Sequence, residues 1–102
     1  MHNYTTPTLV FKIPISTDTL KEAYVTMKQK GKLKDIEVEK NITEMTLEDK
    51  TIKAPLTQEE TGLFSPGKMC EIQLRVKDES GNSYASRVFT LPVEAVLKEG
   101  VI

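Results

Sequence analysis

The chain has 102 residues, the size of one small domain, and its 38% of hydrophobic and 28% of charged residues are typical of a globular protein. A formal net charge of −1 argues against a general nucleic-acid binder, which needs a basic surface to displace counterions. One cysteine excludes an intramolecular disulfide, and no apolar run approaches the length of a membrane span. We also expect no signal peptide, because the opening MHNYTTPTLVFKIPIS lacks both a basic start and a long apolar stretch.

Alternation of apolar and polar residues predicts strands from Thr8 to Leu56. Turns are predicted around Gly31 and at the Asp49–Lys50 pair, which separate the alternating stretches. In each stretch one row of side chains is apolar and is expected to face a core: Leu9, Phe11 and Ile13; Ala23, Val25 and Met27; Ile36 and Val38; Met45 and Leu47; and Ile52, Ala54 and Leu56.

Charged residues near the first turn are predicted to pair across a hairpin. Asp35, Glu37 and Glu39 form an acidic column on one strand, and lysines at 28, 30 and 32 come just before it. Cross-strand ion pairs on a solvated face explain this column better than a calcium site, whose ligands in sandwiches usually come from loops.

The stretch TQEETGLF carries the helical signal of this chain. Thr57 followed by Glu60 fits a capping box, and Gly62 is expected to limit the helix to about one turn. The following SPGK predicts a type II turn with Pro66 and Gly67 in its central positions.

Two further strands are predicted after this turn. In MCEIQLRVKD, the clearest of all, Cys70, Ile72, Leu74 and Val76 are expected to face inward. In SYASRVFTLPV, Arg87 stands in the apolar row, which indicates a bulge or a strand end that reaches solvent. The other members of that row are Ala85, Phe89, Leu91 and Val93.

About seven short strands with one helical turn at 57–64 predict an all-β fold. We expect an antiparallel two-sheet sandwich of immunoglobulin-like type, in which the helical turn crosses from one sheet to the other. The whole chain, 1–102, is predicted to be one domain, with an N-terminal tail at 1–7 and a C-terminal arm or extra edge strand at 93–102.

No constellation of residues in the sequence indicates catalysis, and we expect no enzyme, cofactor or metal site. The single histidine, His2, lies at the N-terminus, where it cannot build a triad or a multi-histidine metal site on a rigid scaffold. Cys70 shares a row with apolar residues and is expected to be a buried small hydrophobe rather than a nucleophile.

Aromatic residues divide into expected core and expected surface. Phe11, Phe64 and Phe89 fall where core is predicted. Tyr24 and Tyr84 fall on outward rows, where they could form a contact patch or a sugar-stacking platform, although outward tyrosines are also simply good strand formers. A carbohydrate-binding or adhesion module is therefore the alternative function.

Apolar residues at both ends of the chain are the candidate partner-binding residues. Either the segment VEAVLKEGVI packs on its own sandwich as an edge strand, or it adds a strand to a neighbouring subunit. The candidates are Val96, Leu97, Val101 and Ile102, with Tyr4 and Tyr24 as weaker ones.

Three motifs together resemble a known group of proteins: TPTLVFKIP, then EAYVTMKQKGK, then IKAPLTQEETGLFSPGKMCEIQLRVKDESGNSYASRVFTLPV. The arrangement is similar to small prophage-encoded proteins of Gram-positive bacteria and, more loosely, to the N-terminal domain of phage baseplate upper proteins. The resemblance implies a non-enzymatic structural protein of a phage tail, baseplate or neck, assembled in the bacterial cytoplasm. Its partners would be other virion proteins or further copies of itself, with no nucleic acid and no membrane.

Overall fold

Eight strands and one α-helix form the regular structure of residues 1–2, 4–31 and 33–94, which are the residues that this computed structural model describes. Short 3-10 turns lie at Thr17–Thr19 and Ile42–Glu44. The elements are β1 (Thr8–Lys12), β2 (Leu20–Gln29), β3 (Ile36–Asn41), β4 (Thr46–Glu48), β5 (Thr51–Pro55), α1 (Gln58–Gly62), β6 (Met69–Asp78), β7 (Ser83–Ala85) and β8 (Phe89–Pro92).

The described strands form two antiparallel sheets, which confirms the predicted all-β sandwich. One sheet has the order β1-β5-β4, and the other has β3-β2-β6 with β7 and β8 both on the far edge of β6. If β1 is lettered B, the sheets read B-E-D and C′-C-F-G, which is the strand order of an immunoglobulin-like sandwich. Strand A, which lies beside strand B in antibody domains, has no counterpart among the described strands.

The core lies between the two sheets and contains the apolar rows that the alternation predicts. The fully buried residues of this core include Ile52 and Ala54 of β5, Leu74 and Cys70 of β6, and Val25 and Met27 of β2. The capping box of α1 is also confirmed, because the side chains of Thr57 and Glu60 bond each other's backbone N–H groups. This helix lies between β5 and β6, where the chain crosses from one sheet to the other.

A bulge divides the predicted final strand into β7 and β8. Arg75 of β6 pairs with Ala85, whereas Ile72 of β6 pairs with Phe89. The final segment therefore advances four residues where β6 advances three. At the bulge the Leu74 N–H donates a hydrogen bond to the hydroxyl of Ser86, at 3.0 Å, rather than to a backbone carbonyl. The bulge predicted near Arg87 is therefore present.

The extra residue changes which side chains face inward on either side of the bulge. Tyr84 packs against the core and Ala85 is exposed, so the predicted outward position of Tyr84 and inward position of Ala85 are wrong. Phe89 was expected in the core but is 37% exposed, because β8 lies at the edge of its sheet. Phe64 is buried as predicted.

The hairpin charges pair as the sequence predicts. Lys28 forms an ion pair with Asp35 at 3.5 Å, and the β2–β3 register places Lys28 directly opposite Glu37. The same hairpin contains a charge that the alternation pattern did not reveal. Lys40 continues the inward row after Val38 and is only 4% exposed.

Lys40 is stabilised by a carboxylate from the helix. Its Nζ donates to both carboxylate oxygens of Glu60, at 2.8 and 3.0 Å, and lies 3.5 Å from Glu44. Burial alone would lower the pKa of Lys40, but the hydrogen bond and charge of Glu60, reinforced by Glu44, raise it above its ordinary value. Burial alone would raise the pKa of Glu60, but the bonds from Lys40 and Thr57 lower it. The Lys40–Glu60 ion pair therefore links the strand β3 to the helix α1.

We predict that Glu60→Gln destabilises the protein by about 2 kcal/mol at neutral pH, because it leaves the buried Lys40 ammonium short of a partner. Since the pKa of Glu60 is lowered, its contribution is present at neutral pH and is lost as the pH falls through that lowered pKa. The variant should accordingly lose less stability than wild type on acidification. Urea unfolding at neutral and acidic pH measures both effects.

The matched control is Lys40→Met, which removes the buried charge and leaves Glu60 partly open to water. We expect it to cost less than Glu60→Gln, because an apolar side chain of similar length needs no partner. A larger loss for Lys40→Met than for Glu60→Gln would contradict the buried-charge explanation.

Candidate interaction site at the open side of the sandwich

The N-terminal segment packs on the sandwich through its backbone. The Met1 amino group donates to the Pro92 carbonyl at 2.7 Å, and Glu94 N–H donates to Met1 O at 2.7 Å. His2 forms an isolated parallel bridge with Glu94 and lies 3.0 Å from its carboxylate. Residues 1–2 thus lie beside the end of β8 and the residues that follow it.

Tyr4, a predicted partner-binding residue, contacts α1 of its own chain. Its ring lies so close to Gly62 that a Cβ built there would come within 2.4 Å of it. Thr5 and Thr61 exchange hydrogen bonds at 3.0 and 2.8 Å beside this contact. The glycine of α1 therefore permits the close approach of the N-terminal segment.

The four C-terminal candidates, Val96, Leu97, Val101 and Ile102, lie outside the described residues. Val93, which begins the predicted arm, is buried and bonds the backbone of the turn before β6. Its N–H donates to Lys68 O at 3.0 Å, and its carbonyl accepts from Gly67 at 2.7 Å. Gly67 has φ +82°, as the predicted type II turn requires.

The two tyrosines of the suggested sugar platform lie on opposite faces of the same sheet. Tyr24 is on the outer face, where the guanidinium of Arg75 lies 5.7 Å from its ring centroid. Tyr84 pairs with the inward-facing Val76 and packs against the core. The rings therefore form no common surface.

Cys70 shows the environment expected of a small hydrophobic core residue. Cys70 is fully buried, and burial raises the pKa of its thiol to about 11. In residues 1–2, 4–31 and 33–94, no three His, Cys, Asp or Glu side chains are grouped so as to hold a metal ion.

Strand β1 has an edge to which no described strand pairs, and we call it the open edge. On the other side, Pro7 O accepts a bond from the residue after β5 at 2.9 Å, and Ile13 N–H donates to the residue before β5 at 3.0 Å. Since backbone groups alternate along a strand, Thr8, Val10 and Lys12 direct their N–H and C=O groups away from β5. Three donors and three acceptors therefore line the open edge.

A groove lies between the open edge and the β7–β8 edge of the opposite sheet. Its volume is about 310 Å³, and we call it the open groove. Val10, which also borders it, is 57% exposed. The remaining large apolar side chains along β1, β7 and β8 that line it are Leu9, Phe11, Tyr84, Phe89 and Leu91.

The open groove is where strand A of an immunoglobulin-like sandwich would lie, since that strand flanks strand B. Unpaired backbone groups beside partly exposed apolar side chains are the two features that an added β-strand recognises. The bulge contributes directly, because it turns Tyr84 and Phe89 toward the groove. Arg87 lies 4.9 Å from the Phe89 ring centroid and shields that ring in part.

Neither a family model nor a curated protein matches this chain. In the part of the chain that the structure describes, no helix is both long and apolar enough to cross a membrane.

Sequence reasoning did not identify the open groove, although one signal was present. Val10 is an apolar residue in the outward row of the first strand, between Thr8 and Lys12. The pairing of β1 with β5, which leaves the other edge of β1 open, joins segments about forty residues apart and has no local signature.

We predict that Cys70 does not react with a soluble disulfide reagent in the native protein, because its thiol is buried and mostly protonated at neutral pH. Adding denaturant should release one reactive thiol per chain. Reaction of the native protein at the denatured rate would show that Cys70 is not in the core.

Proposed function

We propose that this chain is a non-enzymatic structural protein of a phage or prophage particle, which assembles with other proteins through the open side of its sandwich. The open groove carries the proposal: it combines an unpaired strand edge with apolar side chains that a partner can cover. The motifs that resemble prophage structural proteins, from TPTLVFKIP to SRVFTLPV, support the phage context.

The physical basis of such assembly is strand addition. A partner strand would bond the backbone groups of Thr8, Val10 and Lys12, and alternate side chains would enter the groove beside Leu9 and Phe11. Main-chain bonds supply affinity in this mode, and the shape of the groove supplies specificity. The histidine and cysteine of the chain have structural contacts instead, His2 with Glu94 and Cys70 in the core.

The carbohydrate-binding alternative lacks a supporting observation. It depends on Tyr24 and Tyr84 sharing a surface, and their rings lie on opposite faces of the sheet. Tyr24 is also covered in part by Arg75. We therefore do not propose it.

The test of the proposed function is incorporation into particles. We expect density-gradient-purified phage particles from an induced host that encodes this chain to contain it at a constant ratio, measured by quantitative mass spectrometry. Val10→Asp should reduce that ratio about tenfold, because it places an unpaired charge directly beside the added strand.

Leu63→Asp is the matched control, because Leu63 and Val10 are both 57% exposed and Leu63 does not line the groove. It should enter particles like wild type, and circular dichroism should show both variants folded. Absence of the chain from particles, or equal incorporation of the two variants, would contradict the proposal.

A further inference from the structure

We propose that the partner at the open side is a second copy of this chain, joined by antiparallel pairing of the two β1 strands. The inference rests on the proposed function, because it names the partner of that same site. It gives β1 the neighbour that strand A provides in an immunoglobulin-like sandwich, in the same antiparallel direction.

One register satisfies every outward backbone group of β1. With Val10 opposite the partner's Val10, Thr8 lies opposite the partner's Lys12, and Lys12 opposite the partner's Thr8. Since these are the residues whose N–H and C=O groups face the open edge, each of the three pairs exchanges two hydrogen bonds. A shift by one pair in either direction leaves some of these groups unpaired. Pro14 ends the window on one side, because it lacks the N–H that the next outward position would supply.

The side chains favour the same register. It buries the 57% exposed Val10 against its own copy on the twofold axis. It also sets each Lys12 ammonium opposite a threonine, whereas a register centred on Lys12 would oppose two like charges. On the inner side of the sheet, Leu9 and Phe11 of both copies would extend the apolar layer that Phe89 and Leu91 begin.

The other exposed edges are less suited to self-pairing. The edge of β3 carries the exposed Glu37 and Glu39, so two copies would bring carboxylates together. Strand β4 has only three residues. The edge that continues β8 is occupied at Glu94 by the bridge to His2. Among the described strands, β1 therefore offers the longest edge without like-charge opposition.

A single cysteine at the twofold axis tests both the contact and its register. Paired Val10 residues in a hydrogen-bonded position have Cα atoms about 5.5 Å apart, within the range that a disulfide spans. In the full chain, Val10→Cys should form disulfide-linked dimers under mild oxidation. Lys12→Cys is the matched control, because its copies would lie about 14 Å apart, too far for a bond. The native Cys70 is buried and does not compete.

A charge at Thr8 provides an independent readout of affinity. Thr8→Glu places a carboxylate opposite the partner's Lys12 twice per dimer, and should lower the dimer dissociation constant about fivefold in sedimentation equilibrium. Thr8→Lys should raise it by a similar factor. Both substitutions lie on an exposed position, so the fold is retained in either case.

Three results would overturn the inference. They are a full-length wild type that stays monomeric at millimolar concentration, equal cross-linking of Val10→Cys and Lys12→Cys, and loss of self-association in Leu97→Asp, which would assign the groove to the C-terminal segment. Self-association without incorporation into particles would contradict only the proposed function. Incorporation by a chain that remains monomeric would contradict only the β1 dimer.

Discussion

Backbone N–H and C=O groups that leave water need hydrogen-bond partners, and this constraint decides where the sandwich is closed. In the second sheet, β6 is paired on both edges, with β2 on one side and β7 and β8 on the other. Where the chain bulges, the Ser86 hydroxyl accepts the Leu74 N–H that would otherwise lack a partner. Among the described strands, β1 is paired on one edge only, so no described strand satisfies its outward groups. The location of the proposed interaction site follows from that difference.

The period-two pattern predicted much of the fold, because burial of one face imposes it on a strand. The inward rows of β2, β5 and β6 agree with the structure, as does the capping box of Thr57 and Glu60. The predicted inward row of the last strand is wrong on one side of the bulge, because a single extra residue exchanges inward and outward positions. Lys40 was missed because its partner Glu60 lies on another element.

The proposed interaction site was harder to predict than the fold, for a physical reason. Apolar residues at the chain ends are visible in the sequence, and they suggested Tyr4 and the C-terminal segment. The structure places Tyr4 against Gly62 of its own helix, whereas Val10 and Phe89 gather with half-buried apolar residues between β1 and β8. That gathering depends on which distant strands pair and which remain at an edge, and alternation within one strand contains no information on either.

Amide hydrogen exchange along β1, measured by NMR in dilute and in concentrated solution, tests the central claim most directly. Leu9 and Phe11 should be protected at both concentrations, because their N–H groups face β5. Thr8, Val10 and Lys12 should exchange freely in dilute solution and gain protection on concentration, as a second β1 covers the open edge. Exchange of these three amides that is independent of concentration, whether fast or slow, would contradict the claim.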